Sequence, residues 1–467
     1  MTVSPLDAII VGSGPGGASV ARDLARAGWR VLILEQGSAA PLTGTLAQMS
    51  KMAAIPGRGM FLHKDFSVLV QAITAGGSSA VNFATASPPP VAMFAEHGID
   101  LAPALADLQA ELPISPLPDT LVGPMARRMM TAAREAGFNW QKLDKMICPG
   151  SCRAGCWRCV YGCPFGAKWT ARDFIDEAVS HGATLLDRAK VTRVLLENGR
   201  ATGVEYVHAG VTKTAHAKVV VLAGGGVGSP RLLHASGLRA AASGFFSDPV
   251  IAVMGTVDDL DVADGEAPGA EVPMAAGVRF DDDGISLADL TLPAPMAQAF
   301  MAQAGRFDRL LAHRKTLSVM VKIRDDIGGA VGPRWVDKPL TAADRVKLGR
   351  GVEMARQVLR HAGAHHVFAT HHFAAHPGGS VRIGDGVDTD LRAAPNLYVC
   401  DASVIPGPWG LPPTLTLLCL GKRLATYLAP ETPISTSRIS SSAPSLPPAT
   451  PPPAPCVYPA SSPSSPR

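Results

Sequence analysis

The stretch "DAIIVGSGPGGASVARDLARAGWRVLILEQG" constrains the fold more than any other part of the chain. It sets out an apolar strand over about Ala8 to Val11, a glycine turn, an alanine-rich helix ending near Gly28, and a second apolar strand over Val31 to Leu34. That order is a βαβ unit, in which the helix is the crossover that two parallel strands require. Gly12 permits the tight turn, Gly14 lets the backbone come close to a pyrophosphate, and Gly17 lets helix and strand pack closely. Unpaired N–H groups at the helix start attract the phosphates. Glu35 closes the second strand eighteen residues after Gly17, where a carboxylate accepts hydrogen bonds from both hydroxyls of an adenosine ribose and disfavours a 2′-phosphate. The unit reads as a dinucleotide site in a Rossmann-like α/β fold, with FAD, NAD and NADH all compatible.

With 467 residues, the chain is long enough for two or three domains or one large α/β body with an inserted region. Its 47% hydrophobic content, 5% aromatic content and net charge of +4 suit a soluble enzyme, and no basic block argues for nucleic acid. No apolar run reaches the eighteen residues of a membrane span. The N-terminus lacks a basic stretch followed by an apolar one, so a cytoplasmic location is expected.

Three further segments narrow the reading: "TAGGSSAVN" (Thr74 to Asn82), "AKVVVLAGGGVGSPRLLHASGL" (Ala217 to Leu238), and "HPGGSVRIG" followed by "NLYVCDASVIPG" (Asn396 to Gly407). In this order they resemble the segments of the glucose-methanol-choline (GMC) flavoprotein oxidoreductases, nearest the cholesterol oxidase and long-chain alcohol oxidase branches. The likeness runs to about Ala429 and is densest in the FAD-binding pieces. It implies FAD held by Gly12, Gly14, Gly17 and Glu35 at its ADP half. Gly76, Gly77 and Ser78 would let the chain pass close to the cofactor, Asn82 would lie near the flavin, and the Val191 backbone would read the adenine edge. Asp401 and Ala402 would lie near the ribityl and pyrophosphate region. "PPTLTLLCLGKRLATYL" reads as a helix with prolines in its first turn and Lys422 and Arg423 toward its end. The resemblance implies that Pro413 and Thr414 meet the cofactor where the helix's positive end stabilises charge developing on the flavin.

Five of the thirteen histidines fall between His365 and His376, with His361 just ahead. The resemblance singles out His376, followed by "PGGS", as the active-site base. A residue before proline is extended, which suits presentation from a strand end. Its imidazole would take a hydroxyl proton while a hydride leaves the adjacent carbon for flavin N5. His361 and His365 lie at a helix end and read as surface residues. His365, His366, His371 and His372 form two adjacent pairs, and neighbours on a strand point to opposite faces. No cysteine or acid stands at ligand spacing, which disfavours zinc. Members of the family usually carry a second histidine or an asparagine bonding the substrate oxygen, and Pro412 aligns there. Proline has neither side-chain donor nor N–H, so either another group, such as His372, His371 or a water, completes the site, or alcohol oxidation is not the reaction.

Eight cysteines in a chain of this size argue for reduced thiols, metal ligands or redox chemistry. Cys148, Cys152, Cys156, Cys159 and Cys163 share one loop, whose "CWRCVYGCP" resembles ferredoxin-type cluster loops. An iron–sulfur cluster, zinc and a packed thiol loop are all open on spacing alone.

The expected organisation is a discontinuous FAD-binding domain (1–90, 185–240 and 375–429) and a substrate domain (91–184 and 241–374) with an antiparallel sheet. In the latter, "VIAVMGTV" and "TLSVMVKIRD" read as strands. Residues 430–467 are rich in proline and serine and are expected to be disordered. The chain thus reads as an FAD-dependent oxidoreductase acting on a small or lipophilic alcohol, with oxygen or an external carrier as electron acceptor. The alternatives are a flavin protein whose cysteine loop relays electrons and a flavin-binding scaffold without alcohol turnover.

Overall fold

In the computed structural model, which describes residues 6–63, 65, 67–238, 244–260 and 271–430, the opening segment forms strand Leu6–Val11, helix Pro15–Arg26 and strand Val31–Leu34. The two strands pair in parallel, Ile9 beside Leu32. Strand Leu6–Val11 also pairs in parallel with the far end of Val211–Leu222, so it is flanked on both sides. Strand Leu397–Val399 extends the sheet beyond Val220 to Leu222, and Thr184–Leu186 extends it beyond Val31–Leu34. Parallel strands covered on both faces read as continuous apolar runs, and Ala8, Ile9, Ile10, Val220, Val221 and Leu222 are all fully buried.

Helix Thr414–Leu428 packs against Pro15–Arg26 at a contact that only glycine allows. A Cβ on Gly421 would stand 2.6 Å from the Ser19 Cβ, and Ser19 Oγ donates to the Leu418 carbonyl at 2.9 Å. Pro413 caps this helix and Pro412 lies outside it, so the prolines precede the first turn rather than forming it. Lys422 pairs with Asp107 at 3.2 Å and Arg423 with Asp390 at 3.4 Å. The two basic residues serve neighbouring segments, and the last turn of the helix contains no basic residue.

The second sheet is built mainly from the middle of the chain and is almost wholly antiparallel. Its centre is Pro249–Thr256 against Thr316–Ile323, flanked by Ile285–Asp289 and His365–Ala369. Met60–Leu62 and Val68–Val70 also join it, although they fall inside the first ninety residues. One face packs on helix Ala342–His361 through Val319, Val321, Val352 and Val358. That helix starts with a reciprocal cap, in which Thr341 Oγ1 accepts the Asp344 N–H at 3.1 Å and Asp344 accepts the Thr341 N–H at 3.0 Å. The opposite face gathers Val250, Ala252, Met320 and Phe373 with Phe83 and Phe300.

Among the described residues no helix is long and apolar enough to cross a membrane. The proline- and serine-rich tail lies outside the described residues from 431 onward.

Candidate active site

The glycine turn meets the second glycine motif directly. Gly76 donates its N–H to Ser13 Oγ at 3.1 Å, and a Cβ on Gly77, whose φ is +55°, would stand 2.9 Å from Gly14 Cα. Gly12 has φ +103° and leaves a Cβ only 2.4 Å from the Ala223 carbonyl oxygen, so the turn is pinned to the end of the neighbouring strand. Gly17 is as tightly placed, 2.4 Å from the Gly12 oxygen. Gly14 faces open space. It is the N-cap of helix Pro15–Arg26, and no side chain caps the helix's first-turn N–H groups. Uncapped donors beneath an open glycine form a cradle for a pyrophosphate, and the residues present fit a dinucleotide.

Glu35 is buried, and its carboxylate accepts from the Ser13 N–H at 3.1 Å, Ser13 Oγ at 2.6 Å and the Gly37 N–H at 2.7 Å. Burial raises its pKa and these donors oppose the rise. A carboxylate has about four acceptor positions, so one remains on Oε1. Ser13 had no motif of its own in the sequence, yet it joins Glu35 to Gly76. Val191 is buried in strand Ala189–Glu197, whose only strand partner among the described residues is Arg200–His208.

Ser78 is exposed, with its Oγ accepting the Ala72 N–H at 3.0 Å. Asn82 and Thr414, 332 positions apart, meet at 3.4 Å between Nδ2 and Oγ1. Asp401 is buried and ties two segments together: Oδ2 accepts the Gly225 N–H at 2.8 Å and Ser229 Oγ, while Oδ1 accepts the Ser403 N–H at 2.8 Å. The Ala402 carbonyl accepts the Gly379 N–H at 2.9 Å. Gly226 and Gly378 explain the small residues around His376. A Cβ on Gly226 would meet the Pro377 oxygen at 2.0 Å, and one on Gly378 would meet Phe246 Cζ at 2.3 Å.

His376 lies two residues beyond strand Phe373–Ala374, with its side chain 27% exposed. Its Nδ1 is 3.2 Å from Asp248 Oδ2. The other Asp248 oxygen accepts the Gly410 N–H at 2.7 Å, and the Asp248 N–H donates to Asp325 Oδ1 at 3.0 Å. Asp325 pairs with buried Lys338 at 2.9 Å. A carboxylate accepts, so Nδ1 carries the proton and Nε2 is the free acceptor. Burial lowers the His376 pKa; the bond from Asp248 opposes this and the charge of Lys322 adds to it.

The remaining histidines do not join His376. His361 ends its helix and is exposed. His365 and His366 stack edge to face at 4.8 Å instead of pointing apart, because His366 has φ +51°, which breaks the alternation of the strand. His371 is exposed. His372 Nε2 faces Asp65 at 3.4 Å, and neither pair member is among the groups that shift His376.

Cys152, Cys156, Cys159 and Cys163 carry free thiols, and Cys148 is buried. Burial pushes Cys152 up to about 12. Among the described residues no three His, Cys, Asp or Glu side chains converge as metal ligands. The loop has a structural connection of its own. Lys168, from "GAK", donates to the carbonyls of Ala80 at 2.8 Å, Asn82 at 3.0 Å and Cys159 at 2.9 Å, holding the cysteine turn against the Asn82 segment.

Models of the GMC oxidoreductase family match residues 6–253 and 313–421. The chain belongs to the GMC oxidoreductases. It is 29% identical over 484 aligned positions to an uncharacterized GMC-type oxidoreductase of Mycobacterium tuberculosis, covering 91% of this chain and 76% of that protein. It is 25% identical to a long-chain-alcohol oxidase of Arabidopsis thaliana, covering 90% of this chain and 67% of the relative. In fold it resembles pyridoxine 4-oxidase from Mesorbium loti, with a TM-score of 0.70 at 18% identity over 90% of this chain and 99% of that one. Formate oxidase from Aspergillus oryzae gives a TM-score of 0.70 at 17% identity over 91% and 98% of the two chains. This GMC oxidoreductase is an FAD-dependent enzyme, and the open glycine cradle is a physical fit for the cofactor's pyrophosphate.

Proposed function

We propose that this GMC oxidoreductase oxidises the CH–OH group of a lipophilic alcohol, with His376 as the base. The observation that carries the reading is the His376–Asp248 pair at 3.2 Å. Asp248 fixes the ring by its Nδ1–H and leaves Nε2 free to receive a hydroxyl proton. Burial favours the neutral imidazole, which is the form a base needs. Bound FAD supplies the hydride acceptor. The apolar sheet face carrying Val250, Met320 and Phe373, packed with Phe83 and Phe300, supports a substrate with an alkyl body, as does the likeness to a long-chain-alcohol oxidase.

For the cofactor, Gly12, Gly14, Gly17, Gly76 and Gly77 would line the pyrophosphate cradle, with Ser78 beside it. Glu35 would meet the ribose through its remaining acceptor position, and the Val191 backbone would meet the adenine. Asn82, Asp401, Ala402, Pro413 and Thr414 would lie along the flavin half. The FAD-binding domain would comprise 1–90, 185–240 and 375–429, less the strands at Met60–Leu62 and Val68–Val70, which pair with the second sheet.

The test is anaerobic flavin reduction by a series of straight-chain alcohols, in the native protein and in His376→Ala matched for FAD content. Reduction that improves with chain length and is lost in His376→Ala is expected. Reduction at the native rate in that variant overturns the assignment of the base.

A further inference from the structure

Pro412, at the position where the family resemblance implies the second donor, has neither side-chain donor nor N–H, and the central strand of the second sheet offers a donor. Lys322 is the penultimate residue of Thr316–Ile323, a strand in which every residue is buried. It lies directly across from Val250 on one side and Ser286 on the other, and Val250 is in turn opposite Phe373. Residues directly opposite one another share a sheet face. Val250 and Phe373 belong to the apolar cluster that also packs Phe83, the residue after Asn82, so this face is turned toward the segment expected to lie near the flavin. Asp248 immediately precedes strand Pro249–Thr256 and His376 follows Phe373–Ala374. All three groups therefore gather at one end of three neighbouring strands.

The bonding of Lys322 sets it apart. Four lysines are buried among the described residues: Lys145, Lys168, Lys322 and Lys338. Lys145 donates to the carbonyls of Pro273 and Met274, Lys168 to three carbonyls, and Lys338 to Asp325 and the Asp326 carbonyl. Lys322, 4% exposed, makes no hydrogen bond or ion pair among the described residues. Its Nζ is not sealed in either, unlike the unpartnered Nε1 of Trp140. Burying an ammonium without a partner is costly, and an unbonded one beside Asp248 and His376 is placed to receive a ligand. Burial lowers Lys322 to about 8, Asp248 opposes the drop and Arg279 adds to it. Lys322 in turn disfavours protonation of His376.

We propose that Lys322 binds the substrate's hydroxyl oxygen opposite His376, supplying the donor that Pro412 lacks. The assignment rests on the alcohol reading above. The Lys322 ammonium donates to the hydroxyl oxygen and stabilises the negative charge that grows as the O–H proton passes to Nε2 of His376. Bound FAD would accept the hydride as the C–H bond gives up its electron pair, leaving the C=O double bond on the oxygen Lys322 holds. Lys322 keeps its proton throughout.

Acetate, a small anion with a carbonyl-type oxygen, is the probe, titrated into the FAD-loaded full chain and followed by flavin absorption. Lys322→Met is expected to weaken acetate binding at least tenfold and to lower the limiting rate of flavin reduction by alcohol about 10²–10³-fold, with FAD content unchanged. Lys322→Arg retains acetate binding. In the native protein, binding weakens as the pH rises through about 8. Burial moves His376 further below that range, and this measurement requires no variant to fold. His376→Ala loses reduction and keeps acetate. If no alcohol reduces the native flavin but acetate binding still depends on Lys322, the oxygen site stands and the alcohol reading fails. Lys322→Met that binds acetate and is reduced as the native protein is, or native protein that does not bind acetate, overturns the proposal.

Discussion

Asp248 holds His376 through one carboxylate oxygen at 3.2 Å while its other oxygen is fixed by the Gly410 N–H at 2.7 Å. The imidazole proposed as the base is thus oriented by a residue 128 positions away in sequence. Asp248→Asn offers an amide that can turn either its oxygen or its nitrogen to the ring, and the ring loses its fixed tautomer. The limiting rate of flavin reduction should fall roughly 10²–10⁴-fold with little change in FAD content. Anaerobic stopped-flow reduction measures this, and a native rate would remove Asp248 from the mechanism.

The pH dependence follows from the direction of the His376 shift. Burial places its pKa below the ordinary 6.5, so the neutral base persists as the medium becomes acid. The acid limb of the reduction rate should lie below pH 6.5. Because the bond to Asp248 raises the His376 pKa, Asp248→Asn should move the limb lower still, along with its depressed plateau. A limb above pH 7 in the native protein would contradict the burial argument.

Gly77 and Gly14 touch across the two glycine motifs. Alanine at position 77 would have to adopt φ +55° and place its Cβ 2.9 Å from Gly14 Cα, a strain of about 1–3 kcal/mol that opening the cradle relieves. Gly77→Ala should therefore retain FAD roughly tenfold or more weakly, as read by the flavin-to-protein absorbance ratio after gel filtration. Full retention would show that the loop has room to shift.

Lys168 joins the cysteine turn to Ala80 and Asn82 through three carbonyls. Lys168→Met takes the donor from the Ala80 and Asn82 carbonyls, while the Cys159 carbonyl keeps the Gly162 N–H, and each buried unsatisfied group costs about 1–3 kcal/mol. Calorimetry should show a melting temperature lowered by several degrees. The fluorescence of bound flavin should change as well, since Asn82 loses its support; an unchanged Tm would make the contact dispensable.

The glycine cradle was legible because its residues form one continuous stretch, Gly12 to Glu35, in which spacing alone carries the geometry. His376 stood out through "HPGGS", whose small residues are required by the close packing on Phe246 and by Gly226 against Pro377. Asp248 was not legible, since "FSDPV" has no periodic or spacing signal and its partner is brought to it only by the second sheet. Lys322 did leave a trace: it is the only charged residue in the otherwise apolar or hydroxyl-bearing "TLSVMVKI". The expectation that His365 and His366 point apart failed on a single backbone angle, the positive φ of His366.

Strand Leu6–Val11 precedes its sheet partners in the chain, and the sheet around it is completed only by Leu397–Val399, which pairs beyond Val211–Leu222. Long sequence separation slows such pairing. During synthesis the apolar Val219–Leu222 edge stays open while the roughly 175 residues between Leu222 and Leu397 are made. Over that interval the nascent enzyme is exposed to strand-edge aggregation, and its yield in cells should depend on chaperone supply.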